Sequence, residues 1–320
     1  MFKRLAVVLF VANLACLSFG QPLAPTDFGS IDVGSESDRV DSVHYEPLCC
    51  DESLQEQPLS RFKKQALQSI SVSSGGLLNM GNGGLSSMYL DASIGSGIPL
   101  GSFDNIIGVR PRVRTDWIDA APGIDIPDEL YQFELQFFYR RPIHDRLSLM
   151  AIVSPAIRSD LTTSNDAFRI FALGLLNWEC VRDRLTVSVG AVYLGRADLP
   201  VLPALGLSWS PNRRTKLDLR FPSSKLAYRL AKDGGRSEVW SYLSGGLGGN
   251  TWAVTRQSSA TDELSLRDIR LALGAEKLLD GGGGWFAETG FAFARRIEYE
   301  SDDSEVQLDD AFMVQAGWRY

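Results

Sequence analysis

Histidine is almost missing from this sequence of 320 residues, in which only His44 and His144 occur. Hydrolytic sites built on a serine nucleophile depend on a histidine held beside it as the base. His44 lies in an acidic segment without a regular pattern, and His144 follows Pro142 in a short turn. We therefore expect no enzyme, and the sequence predicts no catalytic residue, no bound metal and no cofactor.

Cysteine is also scarce, with 4 residues that lack the spacing of a zinc site or a disulfide framework. Cys49 and Cys50 are adjacent, whereas Cys16 and Cys180 lie far from them. Either these thiols are incidental, or the adjacent pair links to Cys180 or to another chain. Asn13-Leu14-Ala15-Cys16 is close to a bacterial lipoprotein processing site, so lipidation of Cys16 is a further alternative.

Long hydrophobic runs are absent beyond the first residues of the chain. Lys3 and Arg4 precede an apolar run at residues 5–17, and Ser18-Phe19-Gly20 supplies small residues at the cleavage-type positions. This order is typical of a secretory signal peptide, which we predict at residues 1–20 of an exported protein. No other segment has the roughly 18 apolar residues of a membrane-spanning helix, so a β-barrel is the only route through a bilayer.

Residues 21–68 contain few basic side chains and show no hydrophobic period. A single arginine faces many Asp and Glu residues between positions 27 and 56, a composition typical of disorder. We predict a disordered acidic extension over residues 21–68. The formal net charge of the chain is −7, and this acidic balance argues against nucleic acid as a partner.

Residues 69–320 consist of short runs in which apolar and polar side chains alternate. In the clearest run, residues 131–139, aromatic and aliphatic residues hold the odd positions, and Gln132, Glu134 and Gln136 hold even positions. Successive side chains of a strand point to opposite faces, so such a run has one apolar and one polar face. A transmembrane barrel turns the apolar face toward lipid and the polar face toward its lumen. We therefore predict one β-barrel domain at residues 69–320.

The connections between these runs are alternately short and long, as are the periplasmic turns and outer loops of outer-membrane barrels. The sequence predicts an all-β fold, an antiparallel closed (up-and-down) transmembrane β-barrel of about 12 strands. The range is about 10–14, because runs between residues 70 and 94 could add a hairpin. The count requires residues 239–256 to form one long strand with a glycine-rich bulge at residues 245–249.

The last predicted strand ends on an aromatic ring. One of its faces carries Phe312, Val314, Trp318 and Tyr320, which suits lipid contact and an interfacial aromatic girdle. It resembles the C-terminal signal of bacterial outer-membrane barrels, and we interpret these four residues as a membrane-assembly signal. The expected location is the outer membrane, with outer-membrane lipid and the barrel-assembly machinery as partners. The alternative is a secreted or periplasmic soluble all-β binding protein, with its apolar faces turned inward.

The polar faces of the predicted strands carry charges of both signs. Nine of these side chains are candidates for the lumen: Arg110, Arg112, Arg114, Glu134, Arg169, Asp218, Arg220, Arg270 and Glu288. In a narrow barrel such charges tend to meet and form a salt-bridged plug, which gives a structural protein. The other interpretation is a constricted, porin-like channel for small solutes or ions, in which the three arginines at positions 110–114 favour anions.

Five stretches also carry a resemblance to a known family: residues 202–211, 217–222, 226–228, 248–254 and 267–270. They are similar to domain of unknown function 6268, a family of exported proteins in planctomycete-type bacteria. The resemblance spans roughly residues 128–320 and leaves residues 21–60 outside it. It implies an outer-membrane or envelope β-barrel, and it supplies no activity and no catalytic residue.

Overall fold

The fold is given by a computed structural model, which describes residues 65–81, 84–101, 105–193, 201–220 and 223–320 together with Leu59 and Lys63. The predicted signal peptide and nearly all of the predicted extension lie outside the described residues. Regular structure in the described part is entirely β-strand. This part contains no helix that is long and apolar enough to cross a membrane.

Fourteen antiparallel strands form the wall of a closed barrel. They are β1 (Leu67–Asn79), β2 (Leu85–Pro99), β3 (Ile106–Ala120), β4 (Glu129–His144), β5 (Leu147–Ser159), β6 (Phe168–Val181), β7 (Leu185–Tyr193), β8 (Val201–Asn212), β9 (Thr215–Arg220), β10 (Ser223–Asp233), β11 (Ser237–Gly248), β13 (Thr261–Leu279), β14 (Gly284–Tyr299) and β16 (Ala311–Arg319). Two further short strands, β12 (Thr251–Thr255) and β15 (Glu305–Gln307), lie at one end of the barrel.

The barrel closes where the first strand pairs with the last. Ser71 lies opposite Arg319 in this pairing, and Asn79 lies opposite Ala311. Beyond β16, the backbone N–H of Tyr320 donates to the carbonyl of Ile70 at 2.8 Å. The predicted class, an antiparallel closed barrel, is confirmed, and its fourteen wall strands lie at the upper end of the predicted range of 10–14 rather than at about 12. The twelve runs predicted from Ile106 onward correspond to β3–β11, β13, β14 and β16. The hairpin of β1 and β2 adds the remaining two wall strands.

The long strand predicted at residues 239–256 is interrupted in the structure. β11 ends at Gly248 and the chain resumes as β12 at Thr251. Gly249 between them has a φ of +96°, a backbone conformation that glycine adopts without a steric penalty. A Cβ there would also collide with the carbonyl of Leu266 on the facing strand. The predicted glycine-rich irregularity is therefore a true break at its C-terminal edge.

The two ends of the barrel differ. At the end where Leu67 and Arg319 lie, here called the terminal end, the connections between wall strands have two to six residues. At the other end, here called the loop end, several connections are longer, and β12 and β15 belong to two of them. This difference follows the expected alternation of short turns and long loops.

Apolar side chains point out of the barrel and polar ones point in. On β4, Phe133, Leu135 and Phe137 are between 39% and 43% exposed, whereas Gln132 and Gln136 are 2% and 6% exposed. This is the orientation that the alternation predicts.

The lumen is filled toward the terminal end. On β4, β5 and β6, the inward side chains change from charged to apolar in that direction, and Phe138, Ile152 and Leu173 pack into one cluster with residues of β7 and β8. A separate cluster on β10 and β11 contains Trp240 and Tyr242. Ile152 is 1% exposed and Trp240 is 2% exposed, so the lumen is narrow at this level.

Candidate functional site

A cavity of about 1210 Å³ lies inside the barrel, between the apolar clusters and the loop end. We call it the chamber. Seven of the nine predicted lumen residues line it: Arg110, Arg112, Arg114, Glu134, Arg169, Arg270 and Glu288. Asp218 and Arg220 are not part of this lining. They form an ion pair with each other on β9.

Aspartates neutralise much of the arginine row on β3. The Arg112 Nε donates to the Asp91 Oδ2 at 2.6 Å, and the Arg114 Nε donates to the Asp116 Oδ2 at 2.7 Å. Arg270 makes the same kind of contact with Asp268 at 2.6 Å. Alternate positions of a strand share a face, so an arginine and an aspartate two residues apart meet directly. These pairs correspond to the salt-bridged interpretation of the sequence.

Glu288 is held by a chain of hydrogen bonds across three strands. The Tyr89 hydroxyl donates to the Gln315 Oε1 at 2.8 Å, and the Gln315 amide donates to Glu288. The Arg114 guanidinium lies over the Tyr89 ring, with its carbon 4.0 Å from the ring centre. This network ties β2, β14 and β16 together inside the chamber.

Arg158 also lines the chamber, although the sequence analysis did not select it. It is the inward-facing residue next to the end of β5, where the alternating run passes into a loop. Its Nη2 is 4.0 Å from Glu134, and its buried Nε has no hydrogen-bond partner within the described ranges of the chain. Arg158 lies two residues after Ala156, which is buried on the inward face of β5. Because alternate residues of a strand share a face, this spacing predicts that Arg158 points into the barrel.

A bent extension of the wall crosses the loop end. It consists of β12, residues 261–267 of β13, residues 295–299 of β14, and β15, and we call it the lid. Two irregularities mark its bend, the break at Gly249 and a bulge where residues 294 and 295 of β14 face the single Asp268 of β13. Ala294 has a φ of +49°, as in bulges that bend a strand sharply.

The lid reaches the far wall. Ala253 of β12 pairs with Ser159 of β5, and β5 lies seven strands from β13 in either direction around the ring. Beneath the lid, Trp252, Val254 and Leu264 pack against Leu85 and Leu130 of the wall. Val254, Leu264 and Leu130 have no exposed surface. Burial of this apolar surface holds the lid over the mouth of the chamber.

Arg256 fixes the rim of the lid. Its Nε is 3.1 Å from Asp125 of the loop after β3, and its Nη1 is 3.1 Å from Asp262 and 2.9 Å from Asp302. The guanidinium also stacks over the Tyr299 ring at 4.3 Å. We call Arg256 and these three aspartates the latch. The neighbouring carboxylates raise the pKa of Arg256 above its ordinary value, chiefly through the hydrogen bond to Asp125.

Asp160 makes a second fastening, between the loop after β5 and β12. Its Oδ2 accepts from the Thr255 backbone N–H at 2.8 Å, and its Oδ1 accepts from that of Thr162 at 2.9 Å. The Thr162 hydroxyl also donates to the Thr255 hydroxyl at 2.6 Å. Burial acts to raise the pKa of Asp160, but the hydrogen bonds from Thr255 and Thr162 outweigh it and lower the pKa below its ordinary value of 3.8.

This depressed pKa predicts an acid-sensitive fastening. The pKa of Asp160 is lower when the lid is closed than when these contacts are absent. The stabilisation of the closed lid by Asp160 is therefore complete above pH 3.8, and it is lost as the pH falls through the closed-state pKa. Asp160→Asn should therefore open the lid more readily than the parent at pH 7, with the difference disappearing toward pH 2. Protease accessibility of the β12 turn measures this difference. A difference that persists unchanged in acid would contradict it.

Glu300 acts in the opposite direction. A hydrogen bond with Glu263, and then the negative charge of Glu263, raise the pKa of Glu300 above its ordinary value of 4.5. The stabilisation that Glu300 gives to the closed lid is present below pH 4.5, and it is lost as the pH rises through the raised pKa of Glu300. The comparison between parent and Asp160→Asn isolates Asp160, because both proteins keep Glu300.

The lid and loops are rich in acidic residues, yet these residues serve the latch and other ion pairs. Arg296 pairs with Glu298 at 3.1 Å, for example. Within the described part of the chain no three His, Cys, Asp or Glu side chains are grouped so that they could hold a metal ion.

Among curated proteins, none matches this chain. Several solved structures have a similar fold, and their TM-scores against this chain are low. The translocator domain of autotransporter NalP from Neisseria meningitidis is 14% identical, with a TM-score of 0.34, over 81% of this chain and 90% of that chain. A mutant porin of Rh. blastica is 10% identical, with a TM-score of 0.30, over 79% of this chain and 100% of that chain. OccK5 (OpdH) from Pseudomonas aeruginosa is 10% identical, with a TM-score of 0.28, over 82% and 99%.

At these TM-scores the similarities carry no argument for the role of this chain. The sequence match to a protein family is more informative, since it covers more than half of the chain, from the loop before β4 to the segment after β15. It confirms the family that the resemblance implies, while the planctomycete-type source stays a prediction. Through residues 122–308, the chain belongs to the family described as Domain of unknown function (DUF6268).

Proposed function

We propose that this protein is an exported, integral outer-membrane β-barrel that works as a narrow channel, closed at the loop end by the lid. The observation that carries the proposal is a charged chamber inside a barrel whose outer surface is apolar all around. Outer-membrane lipid and the barrel-assembly machinery are the partners of such a protein, and small solutes or ions are its cargo.

The outward surface supports the membrane location. Every one of the fourteen wall strands has at least one large hydrophobic residue that is more than a third exposed. In the described wall, the charged residues at outward positions lie near strand ends: Asp119, Glu129, Arg141, Asp233 and Lys277. Soluble monomers rarely expose an apolar patch of more than a few hundred Å². A continuous apolar band around a barrel is the surface that lipid requires.

Outward aromatic residues gather near both ends of this band, as in the interfacial girdles of outer-membrane barrels. Near the loop end they include Trp117, Tyr131 and Tyr193. Near the terminal end they are Tyr139, Trp178, Trp209, Trp285, Trp318 and Tyr320. The four residues that we interpret as the assembly signal, Phe312, Val314, Trp318 and Tyr320, share the outward face of β16 and its end.

The interior supports a channel that is closed most of the time. The chamber is large enough for a small solute, and the lid crosses its mouth at the loop end. Toward the far wall, the lid is held by apolar packing, the latch, the Asp160 fastening, the Arg169–Glu263 ion pair and one backbone bridge rather than by a continuous ladder. Such contacts break and re-form without disturbing the barrel wall, which suits a gate. In planar bilayers we expect the parent protein to give rare openings, and a steady open-pore current would contradict the lid.

An arginine placed in the middle of the apolar band tests the membrane location. Leu135→Arg should lower the free energy of unfolding in lipid vesicles by about 2–4 kcal/mol, because the charge would lie at the bilayer midplane. Tyr139→Arg on the same face of β4 is the matched control, and its charge should cost about 0–1 kcal/mol near the interface. Urea titrations of the two variants give both values. Equal costs at the two depths would favour the soluble alternative.

A further inference from the structure

On one wall of the chamber, formed by β2–β6, the arginines outnumber the carboxylates. The strands β2–β6 contribute five arginines and three carboxylates to its lining, namely Arg110, Arg112, Arg114, Arg158 and Arg169 against Asp91, Asp116 and Glu134. The aspartates are engaged by Arg112 and Arg114 at hydrogen-bond distance. Arg158 and Arg169, on β5 and β6, are engaged by neither of these aspartates.

Among the residues that the structure describes, no carboxylate lies within hydrogen-bond distance of Arg158. Its nearest one, Glu134, is 4.0 Å from its Nη2 and is also 3.9 Å from the Nη1 of Arg112. The Gln132 amide donates to the same Glu134 oxygen at 2.7 Å, so this carboxylate is already shared. The Arg158 side chain is only 18% exposed, and a charged group so enclosed is stable only with a hydrogen-bonding counter-charge or water.

Arg169 stands beside it on the next strand. Ala156 faces Arg169 across the pairing of β5 and β6, and Arg158 follows Ala156 on the same face, so the two arginines are diagonal neighbours about 7–8 Å apart at the backbone. Arg169 forms an ion pair with Glu263 of the lid through Nη2, but its buried Nε has no hydrogen-bond partner in the described part of the chain.

A third donor lies on the same inward face of β5. Ser154 is the next inward residue before Ala156, it lines the chamber, and its buried hydroxyl has no hydrogen-bond partner among the described residues. The two guanidinium groups and the hydroxyl are all donors. An oxyanion is the ligand that satisfies donors of this kind, since the planar fork of arginine matches a carboxylate or phosphate group.

We infer that Arg158 and Arg169, with Ser154, form a binding site for the oxyanion group of a small acidic solute, a carboxylate or a phosphate. The inference rests on the proposed channel in naming its cargo, and it adds a site that the arginine row on β3 does not provide. The chamber of about 1210 Å³ accommodates the rest of such a solute as well as its charged group. Because Glu263 already pairs with Arg169, an incoming anion competes with a carboxylate of the lid.

Calorimetry on the full barrel in detergent micelles, after long incubation with inorganic phosphate or with succinate, tests the site directly. The parent should bind at least one of the two anions saturably, above the effect of sodium chloride at equal ionic strength. Arg158→Gln and Arg169→Gln should each weaken that binding by at least about tenfold, and Arg158→Lys should retain part of it. Arg182→Gln, in an exposed turn at the terminal end, is the matched control and should bind like the parent.

Two further readouts keep the result clear. Gel mobility with and without heating shows that each variant is folded, and the bound anion should raise the thermal unfolding temperature of the parent but not of Arg158→Gln. Binding that neither variant weakens, or no binding beyond that of chloride, would overturn the inference and leave water as the occupant of the chamber. Neither readout involves conduction or bilayer insertion, so failure here is distinct from failure of the proposed channel.

Discussion

Replacing Arg256 with glutamine is expected to make the channel open several times as often as the parent protein. The guanidinium connects Asp125, Asp262 and Asp302 across the rim of the lid. Only the pair with Asp125 joins the lid to the loop after β3, and we count it at about 1 kcal/mol, since the pairs with Asp262 and Asp302 lie within the lid and its turns. A loss of about 1 kcal/mol shifts the balance of closed and open lid by roughly fivefold. Single-channel recordings in planar bilayers measure this as open probability.

The barrel wall should tolerate this change. Asp262 keeps its hydrogen bonds from the Ser301 backbone and hydroxyl, so the substitution leaves no buried carboxylate without a partner. Arg182→Gln again serves as the control, because it removes one arginine from an exposed turn at the opposite end. If Arg256→Gln opens no more often than Arg182→Gln, the latch does not hold the gate.

Replacing Tyr320 with aspartate is expected to abolish most of the assembly of the protein into the outer membrane, while strand formation in detergent survives. Tyr320 is 49% exposed, and its ring lies 6.3 Å from that of Trp318 at the outward terminal rim. Its backbone joins the closure of β1 with β16, so the proposed assembly signal lies at the closing seam. Heat-modifiable gel mobility and protease protection of cells report assembly, and circular dichroism of refolded protein reports strands.

The matched control is Tyr193→Asp, which removes an outward tyrosine of similar exposure, 38%, near the loop end. Local charge repulsion does not explain a defect at position 320, because Lys63 lies over the Tyr320 ring at 3.5 Å and would attract an aspartate. Equal assembly of the two variants would mean that the C-terminal pattern is an ordinary wall strand.

The parts of the fold that were predictable are those in which the signal is local. On β4, the period of two in residues 131–139 is enough to assign the inward and outward faces. The first hairpin was harder, because the inward face of β1 is built from serine and glycine at Ser69, Ser71, Ser73 and Gly75. Such residues give a weak apolar alternation, so the count of wall strands was two short.

The lid was not predicted, because its causes are scattered along the chain. Its bend depends on positive φ angles at Gly249 and Ala294, and an alanine in that conformation leaves no mark on a sequence pattern. Its latch brings together residues 125, 256, 262 and 302, which approach one another only after the barrel has closed. Arg158 was missed for a related reason, since it lies at the boundary where alternation ends and a loop begins.

The most direct test of a lid-gated barrel is to lock and release the lid in a single preparation. The side chains of Thr162 and Thr255 touch across the gap between the β5–β6 loop and the lid, with 2.6 Å between their hydroxyl oxygens. Thr162→Cys with Thr255→Cys, in an Arg256→Gln protein whose native cysteines are replaced by serine, allows a disulfide at this point. Planar-bilayer recordings before and after addition of a reductant then compare the two states. We expect the oxidised protein to stay closed and the reduced protein to open several times as often as the parent, whereas the same conductance in both states would contradict the lid as the gate of this barrel.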